Sequence, residues 1–150
     1  MSIYPYEQTY PSITYGLFSL NILVNRKRLR ELDNHTVIIV TDEIIDDSLI
    51  RKFAEILLLK GCKNIAFCGT NAEEWHQIFE KVDLDVNGFN GADGYEDFAV
   101  MWCFNDIESL PDELYSCWNE VLILCSSMSV LKECRAVISD SMDSVNYCNS

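Results

Sequence analysis

Residues 36–41, TVIIVT, form an unbroken, largely β-branched run, and no other stretch restricts the fold as tightly. A strand with one wet face alternates apolar and polar residues. This one does not, so both of its faces must be covered. Four residues further on, DDSLIRKFAEILLLKG sets Leu49, Phe53, Ile56 and Leu57 on one helical stripe and ends in Gly61, where a left-handed C-cap is expected.

The pairing recurs along the chain. KNIAFCG reads as a second buried strand, and TNAEEWHQIFEKV as a helix opened by a capping box of Thr70 and Glu73, with Trp75, Ile78, Phe79 and Val82 facing the core. DFAVMWCF gives a third strand over residues 97–104. Beyond it, Leu110, Leu114, Cys117, Trp118, Val121, Leu122 and Cys125 recur at helical spacing, which favours a helix over the β-like VLILC. CRAVIS then reads as a fourth strand, residues 141–150 as a frayed tail, and residues 1–24 as an N-terminal arm or edge strand. Strands alternating with helices require right-handed crossovers in a mostly parallel sheet of about four to five strands, a small three-layer α/β sandwich. At 150 residues it is expected to be a single domain, 1–150.

Three segments in this order, CGTNAEEW, YEDFAVMWCFND and CRAVISDS, resemble a family of small bacterial α/β proteins classed only as a domain of unknown function. The resemblance spans roughly residues 36–140 and implies a helix over 110–125. It carries over no catalytic residues.

Charge narrows the function classes. Against 11 Lys and Arg stand 24 Asp and Glu, a net charge of −13, which repels phosphate backbones and anionic membranes and attracts basic partners. Direct nucleic-acid binding is therefore not expected, and the cluster of Arg26, Lys27, Arg28 and Arg30 reads as a solvated helix face. The opening MSIYPYEQTYPSITYG has no basic start leading into an apolar stretch, and no apolar run reaches about 18 residues, so a cytoplasmic protein is expected. Seven cysteines without a Cys-x-x-Cys pair fit that compartment as reduced core thiols and offer no clustered metal ligands. No motif requires a cofactor.

Five constellations could carry function. Asp46 and Asp47 stand where a helix begins and are explained by its free N–H groups. Asp42 and Glu43 close the first buried strand, and with Asn105 and Asp106 after the third they resemble in part the magnesium site of response-regulator receiver domains. The later strand end, VISDS, lacks the receiver's Lys. Gly69 with Thr70 and Asn71 is the best candidate for a phosphate turn, although one glycine is no fingerprint. His76 has Glu73 and Glu80 within reach on its helix, and His35 precedes a strand. Neither histidine has a nucleophile adjacent in sequence, so a Cys or Ser dyad depends on partners meeting in space.

The fifth is the long connection VDLDVNGFNGADGYEDF, residues 82–98, with Asp83, Asp85, Asp93, Glu96 and Asp97 around Phe89 and Tyr95. Long loops are often functional, and acids that steer with aromatics that anchor make a protein-binding epitope. The expectation is thus a non-enzymatic, acidic binding module: an immunity protein that neutralises a basic, nuclease-type toxin through the 82–98 loop. The alternative is a receiver-like metal- or nucleotide-binding regulatory domain using Asp42, Glu43, Gly69 and Asp106, and a homo-oligomer is compatible with either. In a parallel sheet the two sites fall on opposite edges.

Overall fold

The computed structural model describes residues 11–18, 32–42, 45–88, 98–117 and 120–148, with side chains to Ser141. Five strands, β1 (Ile13–Leu17), β2 (His35–Thr41), β3 (Asn64–Gly69), β4 (Val100–Phe104) and β5 (Glu120–Cys125), make one parallel sheet in the order β1-β5-β2-β3-β4. The run that began the reading, TVIIVT, lies in the central strand, β2. Its side chains divide by parity: Val37 and Ile39 enter one core, Ile38 and Val40 the other.

Among the described residues two helices cover each face. Helix α1 (Asp47–Leu59) and helix α2 (Ala72–Asn87) seal the first core around Phe53, Leu57, Trp75 and Phe79. Helix α3 (Leu110–Tyr115) and helix α4 (Met128–Cys148) seal the second around Leu110, Leu114, Leu131 and Cys134. The chain therefore winds outward from β2 through β3 to β4, then crosses to the other face and returns to β5 on the far side of β2. That is a doubly wound sheet whose direction reverses between β2 and β5.

Local chemistry starts and stops these helices as expected at α1. Asp46 caps it by accepting a hydrogen bond from the Ser48 N–H at 3.1 Å. At its end Gly61 takes φ +87°, while the Cys62 N–H reaches the Leu57 carbonyl and the Gly61 N–H the Leu58 carbonyl, the paired bonds of a Schellman stop. At α2 the expected capping box is not formed. The helix begins one residue later, with Asn71 as N-cap and no side-chain cap bond, because the Thr70 N–H is tied to the Thr41 carbonyl of β2 at 3.3 Å.

Two expected elements are corrected. The 110–125 segment is not one helix: α3 stops at Tyr115, and VLILC is strand β5, paired on both sides between β1 and β2. A central slot in a covered sheet selects β-branched and long apolar side chains on both faces, and that demand outweighs the fortuitous helical spacing of the leucines. CRAVIS is not a strand but part of α4, where Val130, Cys134 and Ile138 recur every four residues and are buried. Helix α4 also continues to Cys148, through most of the segment read as a tail.

Candidate functional site

In a doubly wound sheet the carboxyl ends of the strands form the edge where ligands bind. Here that edge carries two cavities, of about 340 and 320 Å³, that share Gly69, Thr70 and Asn105 as walls and together make a trough along the ends of β2, β3 and β4. One half adds Asp42, Asp106, Glu108 and Glu133; the other adds Glu73, Glu74 and Cys103. Among the described residues no Lys, Arg or His lines either half.

Asp42 and Asp106, both expected at this edge, do meet in one cavity. Their arrangement is not that of a receiver. A receiver sheet sets the third strand beside the first at its switch point, whereas here β3 lies between β2 and β4 and the neighbour of β2 across the switch is β5. Asp42 is also occupied: its Oδ1 accepts from Ser126 Oγ at 2.8 Å, and its N–H donates to the same oxygen at 3.3 Å, a tie that bridges the crevice between β2 and β5. Glu43 lies outside the described residues. Among the described residues no group of three or more His, Cys, Asp or Glu side chains is placed to hold a metal ion.

Gly69 has a backbone reason to be glycine. Its φ is +116°, and a Cβ there would stand 1.8 Å from the Thr41 carbonyl oxygen. Close packing of the β2 and β3 ends thus accounts for it, and Glu73 and Glu74 beside the turn would repel a phosphate. The acids are felt inside the sheet as well: burial, then the fields of Cys134, Asp106, Glu108 and Glu113, push the Cys68 thiol up to about 12.

At the opposite edge the 82–98 reading changes. Helix α2 runs to Asn87, so Asp83 and Asp85 sit on the helix rather than in a loop, because Val82, Asp83 and Asn87 continue its buried face. Asp83 is only 4% exposed. One of its oxygens accepts from the Asn87 amide and the other from the Ala99 N–H at 3.0 Å, which clamps the end of α2 to the approach to β4. That engagement removes Asp83 from any partner-binding surface, while Asp85 stays exposed. Phe89, Asp93, Tyr95, Glu96 and Asp97 lie outside the described residues.

A second grouping was not evident from the sequence. Cys103 Sγ lies 3.3 Å from His76 Nδ1, and His76 Nε2 lies 2.6 Å from Glu80 Oε1, with the imidazole stacked on Phe67 at 5.4 Å between centroids. His76 and Glu80 were visible as neighbours one helical turn apart. The thiol, 27 residues away, is delivered only by the placement of β4 beside α2. Glu108 and Glu133 were likewise missed, since they reach the trough from a 3-10 turn (Ile107–Ser109) and from α4, not from a strand end. No family model matches the chain, and no curated protein is significantly similar to it.

Proposed function

We propose that the protein is an acidic protein-binding module whose carboxyl-edge trough receives the Lys and Arg side chains of a basic partner. One observation carries this reading: Asp42, Glu73, Glu74, Asp106, Glu108 and Glu133 converge on the trough, with no cationic side chain among its described walls. Such a surface favours a cation, and a chain of net charge −13 adds a long-range field that steers a basic protein toward it.

Asp106, Glu108 and Glu133 are exposed, and no helix-capping bond of theirs accounts for them. Carboxylates ranged along an edge can substitute for phosphates. The partner class we propose is therefore a nuclease toxin whose own active site grips a phosphate backbone, with this protein as its immunity factor in the reducing cytoplasm. The free thiols of Cys62, Cys68, Cys125 and Cys134, all buried in the cores, support that compartment.

Affinity capture on the immobilised chain, followed by a nuclease assay of what is retained, tests the proposal. It predicts a basic protein whose cleavage of DNA or RNA stops at one equivalent of this chain. Capture of partners without excess positive charge, or a nuclease that stays active when saturated, contradicts it.

A further inference from the structure

Charge complementarity to a basic partner leaves the contact between Cys103, His76 and Glu80 unaccounted for, and its geometry is that of an assisted nucleophile. Cys103 is half-buried on β4 and opens into the 320 Å³ cavity, where Asn71, Ala72 and Glu73 at the start of α2 form the facing wall. His76 keeps 23% of its side chain exposed and is held flat by Phe67. Its Nε2 lies 2.6 Å from the Glu80 carboxylate without a well-directed hydrogen bond to it, and the field of that charge favours the tautomer with the proton on Nε2. Nδ1 is then an acceptor aimed at the thiol.

We propose that Cys103 is the nucleophile of an acyl-transfer site, with His76 as its base and Glu80 as the residue that positions His76, acting on neutral or cationic activated esters and thioesters. Sγ forms a bond to the acyl carbon as its proton passes to Nδ1. The tetrahedral intermediate expels an alcohol or thiol, which leaves with that proton, and Cys103 is left as a thioester. Water, deprotonated in turn by His76, releases the acid and restores the thiol. No oxidant or reductant enters.

Three features fit this chemistry. Burial, then the fields of Glu73 and Glu80, raises the Cys103 thiol, so it rests protonated and needs a base at the moment of attack. No side chain caps α2, which leaves its first N–H groups beside the cavity where an oxyanion would develop. Glu73 and Glu74 set the preference against anionic acyl groups. The inference stands apart from the partner proposal, because it needs only the reacting groups and the cavity.

The test uses the intact chain and p-nitrophenyl acetate. An acetyl group mapped to Cys103 by mass spectrometry, with a burst of one equivalent of nitrophenolate ahead of slower turnover, is expected, and Cys103→Ala abolishes it. His76→Ala slows acylation by about 10²- to 10⁴-fold, and added imidazole restores part of the rate. In the unaltered protein, where folding is not at issue, acylation is slower in D₂O because a proton moves in the transition state. The imidazole ¹⁵N resonances report the Nε2–H form, which Glu80→Ala converts to a mixture. Acylation elsewhere than Cys103, a rate indifferent to His76, or a D₂O rate equal to that in H₂O overturns the assignment, and ¹⁵N resonances unmoved by Glu80→Ala remove Glu80 from it.

Discussion

Replacing Asp83 with Ala separates a structural clamp from a binding epitope. The carboxylate accepts from two donors, the buried Asn87 amide and the half-buried Ala99 N–H. Each buried donor left unsatisfied costs about 1–3 kcal/mol. Relief of a negative charge near the carboxyl end of α2, where the helix dipole opposes it, returns up to about 1 kcal/mol. With the Ala99 donor only half-buried, the net loss is about 1–5 kcal/mol, which for a chain of this size lowers the melting point by roughly 2–20 °C. Asp83→Asn costs a comparable amount, because both partners are donors and an amide offers them one oxygen in place of two. Asp85→Ala, an exposed position on the same helix, stays within about 0.5 kcal/mol. Paired urea and thermal melts read the difference. An Asp83→Ala variant as stable as Asp85→Ala would refute the clamp and return Asp83 to the surface.

Gly69→Ala destabilises by at least about 2 kcal/mol in a urea melt, since the added Cβ meets the Thr41 carbonyl at a φ that other residues avoid; a neutral result would mean the β2–β3 approach is looser than described. Burial pushes the Cys62 thiol from its ordinary value of 9.0 up to about 12, so the native state holds this proton more tightly than the unfolded chain. The associated stability is complete below pH 9 and is lost as pH rises toward 12, about 4 kcal/mol in all, and Cys62→Ala flattens the melting-point profile across that window. Timed alkylation at neutral pH labels Cys103 well before Cys62 or Cys68, which are buried and react only on unfolding.

The architecture could be read from the residues because parallel strands covered on both faces leave continuous apolar runs, as at TVIIVT and NIAFCG, and because Asp46 and Gly61 mark the ends of α1 chemically. The reading failed where two periods coexist. Leu110 to Cys125 satisfies helical spacing, but Leu110 and Leu114 belong to α3 while Val121, Ile123 and Cys125 share one face of β5, and only the vacant slot between β1 and β2 decides between them. The site was less legible still. Its trough draws Asp42, Glu73, Asp106 and Glu133 from four separate segments, and the thiol that meets His76 comes from a different strand. Strand order, which local sequence does not encode, performs that assembly.

Association kinetics of the captured partner at low and moderate salt test the central claim most directly. The triple substitution Asp106→Asn, Glu108→Gln and Glu133→Gln is compared with Asp93→Asn, Glu96→Gln and Asp97→Asn, three changes of equal charge in the 82–98 segment. If the trough is the docking edge, the first set slows association, speeds dissociation and flattens the salt dependence, while the second alters only the long-range steering and leaves dissociation unchanged. Dissociation accelerated by the second set and untouched by the first would place the partner on the 82–98 segment and contradict the assignment.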